Sequence, residues 1–119
     1  MISVLLVEDD IINQKMASRF LVKCGMEVTV ASDGSEAIDL IKGKKYNLVL
    51  MDLQMPDMDG CEATSRIRAL DDPYYKTVPI LAFSASEDVQ DKLSLFGMND
   101  FVSKPLRADE MQKLNQYIA

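Results

Sequence analysis

Histidine is absent from this 119-residue chain. Its own residues therefore cannot build a Ser-His-Asp triad, a Cys-His nucleophile or a histidine-ligated zinc. Cysteine occurs twice, at Cys24 and Cys61, in predicted helices and without metal-ligand spacing. Reduced, packed thiols in a cytoplasmic protein are the expectation. No apolar run reaches membrane length and no signal peptide is evident, so no membrane contact is expected. Basic residues are the minority, 13 against 19 acidic, for a net charge of −6. That argues against a nucleic-acid reader, which carries a basic face, but not against a cation site. Low-complexity tracts and internal repeats are also missing. The length suits one domain with a single core, predicted over residues 1–119.

What is present is organised around residues 47–60, Asn-Leu-Val-Leu-Met-Asp-Leu-Gln-Met-Pro-Asp-Met-Asp-Gly. Leu48 to Met51 is a short apolar run, the pattern of a strand buried on both faces. It stops at Asp52. An unpaired carboxylate inside such a strand is costly, so Asp52 belongs at its carboxyl end, where the sheet opens to water. Pro56 and Asp59-Gly60 supply turn chemistry just beyond. An Asp in this setting is either a turn former or cap, or a reactive or ligand-binding carboxylate.

The remaining chain alternates strands and helices. Ser3 to Val7 is apolar and ends in Glu8-Asp9-Asp10. Ile11 to Cys24 has helical spacing, with Asn13, Met16, Ala17, Phe20, Leu21 and Cys24 on one face and Ile11, Lys15, Ser18 and Val22 opposite. Glu27 to Ala31 is a second strand, followed by a helix from Ser32-Asp33-Gly34 to about Lys42. Glu62 to Leu70 is helical after the Asp52 strand. Asp71 to Thr77 reads as a loop whose two tyrosines have no evident role. Val78 to Phe83 is a fourth strand, followed by Ser84. Ser86 is the expected cap of a helix reaching Phe96, with Val89 and Leu93 inward. Asp100 to Ser103 is a short fifth strand ending at Lys104-Pro105. Arg107 to Ile118 is the last helix, with Met111, Leu114 and Ile118 inward.

Five strands alternating with five helices predict an α/β fold, a parallel sheet doubly wound with helices on both faces. Ligands in such sheets sit at the carboxyl ends of the strands. Glu8, Asp9, Asp52, Ser84 and Lys104 all fall on that edge. Three converging carboxylates repel each other, and a divalent cation removes the conflict. Oxygen-only ligands point to Mg²⁺ or Mn²⁺ rather than zinc. Lys104 is a point charge suited to a phosphoryl oxygen, Ser84 a donor to another, and Asp52 a nucleophile able to form an aspartyl phosphate. Singly, Lys104 reads as a surface lysine, Ser84 as a turn cap, and Glu8 and Asp9 as first-turn acids. Their joint placement is what argues for a site.

The segments Val4-Leu-Leu-Val-Glu-Asp-Asp10, Asp33-Gly-Ser-Glu-Ala37, Met51-Asp-Leu-Gln-Met-Pro-Asp-Met-Asp-Gly60, Phe83-Ser-Ala85 and Phe101-Val-Ser-Lys-Pro105 closely resemble the receiver domains of two-component response regulators and hybrid histidine kinases. They span nearly the whole chain in the right order. The resemblance implies a flavodoxin-like strand order 2-1-3-4-5. It implies that Asp52 accepts phosphate from a histidine of a kinase or phosphotransfer partner. Asp9 would bind Mg²⁺ directly, Glu8 mostly through water, and Gln54 through its backbone carbonyl. Ser84 would be the switch hydroxyl and Phe101 the switch aromatic. Many receivers have Thr where Ser84 stands, and Phe101 has no hydroxyl, so an inward position must rest on packing. The Asp10-Ile-Ile-Asn-Gln14 run is similar to hybrid-kinase receivers, although those usually have Asn at the position of Asp10.

Two rival functions remain at this stage. A Mg²⁺-dependent aspartyl phosphatase commonly needs a second Asp two residues after the nucleophile, where this chain has Gln54. A degenerate receiver acting only as a docking module would lack Asp9, Asp52 or Lys104. The expected role is therefore a phosphorelay switch that turns over no separate substrate. Ile11, with Ile12 and Lys15, is expected to be exposed at the rim of the site and to meet a helical, histidine-bearing partner.

Overall fold

The computed structural model describes residues 1–85 and 90–118. Five strands form one parallel sheet: β1 Ser3–Val7, β2 Glu27–Ala31, β3 Leu48–Asp52, β4 Ile80–Ser84 and β5 Asp100–Ser103. Their order is β2-β1-β3-β4-β5, as the resemblance implies. The register pairs Val7 with both Ala31 and Met51, Asp52 with Phe83, and Ser84 with Ser103. All carboxyl ends therefore finish on one edge, β3 running one residue and β4 and β5 two residues past the ends of β1 and β2.

Alternation along the strands divides the core in two. Leu5, Val7, Val49, Met51, Ile80 and Ala82 point to one face and pack with Ala37, Ile41, Ala63 and Ile67. Val4, Leu6, Leu48, Leu50, Leu81, Phe83 and Val102 point to the other and pack with Ala17, Leu21 and Leu114. Burial of both faces is why β1, β3 and β4 are continuous apolar runs. The helices that cover them are α1 Ile11–Lys23, α2 Gly34–Gly43, α3 Gly60–Arg68, α4 Tyr74–Thr77 and α5 Met111–Ile118. The first three share one start device. Asp10, Asp33 and Asp59 accept from the backbone N–H of Asn13, Glu36 and Glu62 at 2.9, 2.8 and 2.8 Å.

Five α-helices are present among the described residues, but the fourth lies in the expected loop after α3. There Asp72 Oδ1 accepts from Tyr74 N at 2.8 Å and starts a single helical turn. The crossover between β4 and β5 is a 3-10 helix over Gln90–Phe96. The expected cap Ser86 and the inward Val89 lie outside the described residues, while Leu93 is buried as expected. The last helix begins as a 3-10 turn, Ala108–Glu110, before α5.

α1 buries a narrower stripe than its spacing suggested. Ala17 and Leu21 are buried, but Met16 is 53% exposed and Cys24 is exposed. Cys24 has left the helix axis to serve as its C-cap, handing the chain to Gly25 at φ 87°. Met16 flanks the stripe, on an open groove of about 260 Å³ shared with Phe20, Pro105 and Leu106. Ser18 is not outward as expected; its Oγ is buried without a hydrogen-bond partner.

Candidate functional site

Each strand end delivers one part of the site. Glu8 follows β1 and is 1% exposed, while Asp52 closes β3 at 4%. Asp9 is exposed beside them. Ligand oxygens of Glu8, Asp9 and Asp52 lie within 4.8 Å of one another. Lys104 follows β5 and reaches across, its Nζ 2.6 Å from Glu8 Oε1 and 3.3 Å from Asp52 Oδ1. The Lys104 stem passes the Phe83 ring, with Nζ 5.2 Å from the centroid. The Lys104–Pro105 peptide is cis. Ser84 closes β4, is buried, and accepts Lys104 N–H on its carbonyl at 2.9 Å.

The electrostatics show what holds this cluster and what strains it. Burial pushes the Asp52 carboxyl up, the adjoining Glu8 carboxyl pushes it further, and Lys104 and the Gln54 N–H oppose; the net is a pKa of about 7. Lys104 is also shifted. Burial disfavours its charge, but the carboxylates of Glu8 and Asp52 outweigh that and raise its pKa. Glu8 Oε2 accepts from Asp10 N–H at 3.2 Å. Glu8 Oε1 is met by Lys104 alone among the described residues. Two adjoining anions share one lysine. An oxygen-only set in this state fits a hard divalent cation, which supplies the missing positive charge.

The turn after β3 is shaped for close approach. Gln54 N–H donates to Asp52 Oδ1 at 3.2 Å, which orients the carboxylate. Gly60 N–H donates to the Leu53 carbonyl at 3.1 Å. A Cβ on Gly60 would stand 2.2 Å from the Asp52 carbonyl oxygen, so only glycine lets α3 start against the strand end. The sequence reading took Asp59-Gly60 as turn chemistry and missed this steric role. It also missed Gln14, whose Nε2 donates to the Glu8 carbonyl at 2.5 Å and to Ser32 Oγ at 3.3 Å. The only signal was its place one turn beyond Asp10, on the side of α1 facing the acid loop.

Phe101 is 3% exposed and belongs to the buried cluster with Leu93 and Met98, so packing alone does hold it inward. Its carbonyl accepts from Lys113 Nζ at 2.6 Å. Ile11 and Ile12 are 63% and 69% exposed, and Lys15 is exposed with them. These three lie on the first turns of α1, beside the acid loop but outside the carboxylate cluster.

Comparison with known proteins agrees with this geometry. The family described as the response regulator receiver domain matches residues 4–116. Over 113 residues the chain is 41% identical to the transcription factor SKN7 of Saccharomyces cerevisiae, covering 93% of this chain and 18% of that protein. It is 39% identical over 119 residues to hybrid signal transduction histidine kinase B of Dictyostelium discoideum, covering 91% and 6%. The chain thus spans less than a fifth of either relative. Among solved structures it superposes with a TM-score of 0.87 at 34% identity on the receiver domain of sensor histidine kinase PA1611 from Pseudomonas aeruginosa, which has a magnesium ion coordinated in its active-site cleft; coverage is 98% and 96%. It also superposes, with a TM-score of 0.84 at 32% identity and coverage of 98% and 88%, on a chain of the co-crystal structure of the S. cerevisiae histidine phosphotransfer protein Ypd1 and the receiver domain of Ssk1. By fold, site geometry and sequence, this chain belongs to the response regulator receiver domain family of two-component signalling.

Proposed function

We propose that Asp52 accepts a phosphoryl group from a histidine of a kinase or phosphotransfer partner, and that residues 1–119 act as one switch domain in doing so. The observation that carries this is the grouping of Glu8, Asp9 and Asp52 within 4.8 Å, with Lys104 3.3 Å from Asp52. A free Asp52 oxygen attacks phosphorus while the P–N bond to the donor imidazole breaks and its electron pair returns to the ring nitrogen. Asp9, Asp52, the Gln54 carbonyl and, mostly through water, Glu8 would hold Mg²⁺, with Mn²⁺ as a substitute of similar chemistry. The bound cation offsets charge on the transferring group. Lys104 takes one phosphoryl oxygen and Ser84 donates to another. Lys104 thereby exchanges its contact with Glu8 for one with the modified Asp52, and Phe101 repacks as the β4 and β5 ends close on the site. The domain performs this chemistry on itself and turns over no separate substrate.

The partner meets α1. Ile11 and Ile12 are exposed at the rim, and Met16 is exposed one turn further along α1. The Ypd1 and Ssk1 receiver co-crystal supports a histidine phosphotransfer protein as partner for such a domain. Ile11→Asp slows transfer from the protein donor and spares transfer from a small acyl phosphate; equal losses from both donors would show damage to the site itself. The net charge of −6 supports a domain that does not contact nucleic acid. No helix among the described residues is long and apolar enough to cross a membrane, and we place the domain in the cytoplasm.

Intact mass after incubation with Mg²⁺ and a small acyl phosphate tests the central reading. One added phosphoryl group, dependent on Mg²⁺ and on Asp52, is expected. No uptake would leave a docking module instead. Continuous hydrolysis of a generic phosphate ester would indicate a phosphatase.

A further inference from the structure

The acid loop after β1 has an electrostatic reason to open. Glu8, Asp9 and Asp52 gather in one place, and among the described residues only Lys104 offsets them directly. Coulomb repulsion among partly buried carboxylates is large enough to turn a loop outward in the metal-free protein. Something must hold the loop in the arrangement a cation needs.

Backbone contacts around the loop are few. Glu8 N–H belongs to the sheet, donating to the Ala31 carbonyl at 2.9 Å. Asp10 caps α1 through its side chain and accepts Gln14 N–H on its carbonyl at 2.9 Å. Between these anchors lies the Glu8–Asp9 peptide. Its carbonyl accepts from Gln14 Nε2 at 2.5 Å. The orientation of that peptide plane is set by ψ of Glu8 and φ of Asp9, and with the plane held, φ of Asp9 fixes the direction of its Cα–Cβ bond. Gln14 is itself oriented. A backbone carbonyl can only accept, so the amide must present its NH₂ group to Glu8. The same nitrogen also reaches Ser32 Oγ at 3.3 Å, in the turn where Ser32 N–H donates to Glu36 Oε1 at 2.6 Å. The acid loop after β1 is thereby tied to the start of α2.

We infer that Gln14 is a positioning residue for the divalent cation. It fixes the Glu8–Asp9 peptide plane, so that Asp9 faces the Asp52 carboxylate before the metal arrives. It touches neither metal nor phosphoryl group and acts through the Glu8 carbonyl. The inference rests on the reading of Glu8, Asp9 and Asp52 as the metal site. Its effect is on affinity: in the variant, the cation must first gather a loop that the wild-type chain already holds.

Gln14→Met keeps length and helix propensity and removes the donor. Calorimetric titration with Mg²⁺ should show binding weakened about three- to tenfold, the worth of one hydrogen bond. Ser32→Ala should give a smaller loss. Water can serve the Glu8 carbonyl in the variant, so the metal-free unfolding midpoint stays near wild type. At saturating Mg²⁺, the rate of phosphorylation by a small acyl phosphate returns to the wild-type value. Unchanged Mg²⁺ affinity in Gln14→Met would overturn the inference while leaving the metal site standing. So would a lower saturating rate at unchanged affinity, which is the mark of a general structural role. A wild-type chain that binds no Mg²⁺ would overturn both.

Discussion

The two ends of the sheet handle their polar groups in opposite ways. At the amino end they are matched. Asn47 Oδ1 accepts from Ser3 N–H and Asn99 Oδ1 from Ile80 N–H, both at 2.9 Å, so side chains complete the ladder where strands begin. Tyr74 Oη donates to the Tyr46 carbonyl at 2.9 Å and takes the Tyr46 N–H at 2.6 Å. Arg68 spans three acceptors: the Gly97 carbonyl at 2.9 Å, the Tyr75 carbonyl at 3.0 Å and Asn99 Oδ1 at 2.9 Å. At the carboxyl end the groups conflict. Glu8 and Asp52, two adjoining buried carboxylates, share one lysine. One end closes the fold, and the other stores an unmet demand for positive charge. A site that must bind a cation and then a phosphoryl group cannot be satisfied beforehand.

Substitutions at the two ends should separate stability from function. Asp52→Asn has the largest expected effect: phosphorylation by a small acyl phosphate is lost, while the fold remains, because amide and carboxylate are nearly isosteric. Intact mass and a circular dichroism spectrum check both halves. An acid-stable, Mg²⁺-dependent adduct on the Asn variant would falsify the assignment of Asp52. Arg68→Ala is the mirror experiment. It takes the donor from the Gly97 and Tyr75 carbonyls, while Asn99 Oδ1 keeps Ile80 N–H, and should cost about 2–3 kcal/mol in urea unfolding, with phosphorylation retained below the transition.

The pH dependence follows from the raised Asp52 pKa of about 7. In a chelator, the folded state holds more protons on this group than the unfolded state between about pH 4 and pH 7. Stability therefore falls as pH rises through that window. The fall should shrink in Asp52→Asn and on adding Mg²⁺. Identical stability–pH curves for wild type and the variant would remove the conflict from the description of this end. Tyr74→Phe has the smallest expected effect, about 1–2 kcal/mol, because it leaves the Tyr46 N–H and carbonyl without their partner. A chemical denaturation curve checks it, and Mg²⁺ affinity should not move.

Much of the carboxyl end was legible without coordinates. Apolar runs that stop at Glu8, Asp52, Ser84 and Lys104 mark strand ends, and a doubly wound parallel sheet brings all such ends to one edge. The exposure of Ile11 followed from helical spacing, whereas Phe101 was singled out through the resemblance alone. The amino end was hardly legible. Tyr74 meets Tyr46 across 28 residues and Arg68 meets Gly97 across 29, and no local pattern encodes such pairs. The outward turn of Met16 and Cys24 was hidden for a related reason. Helical spacing gives a direction, but the width of the buried stripe depends on what packs against it.

Sequence by itself thus determined the fold class, the strand order through the resemblance, and which residue types reach the site edge. These are set by period, by where polarity interrupts an apolar run, and by the single hand of β-α-β crossovers. Tertiary structure alone decided how charge is shared there. Lys104 sits on Glu8 at 2.6 Å and reaches Asp52 only at 3.3 Å, and Gln14 Nε2 donates to the Glu8 carbonyl at 2.5 Å. Differences of less than one ångström among buried charges set pKa values and metal affinity, and they arise from packing over the whole domain rather than from any local run of residues.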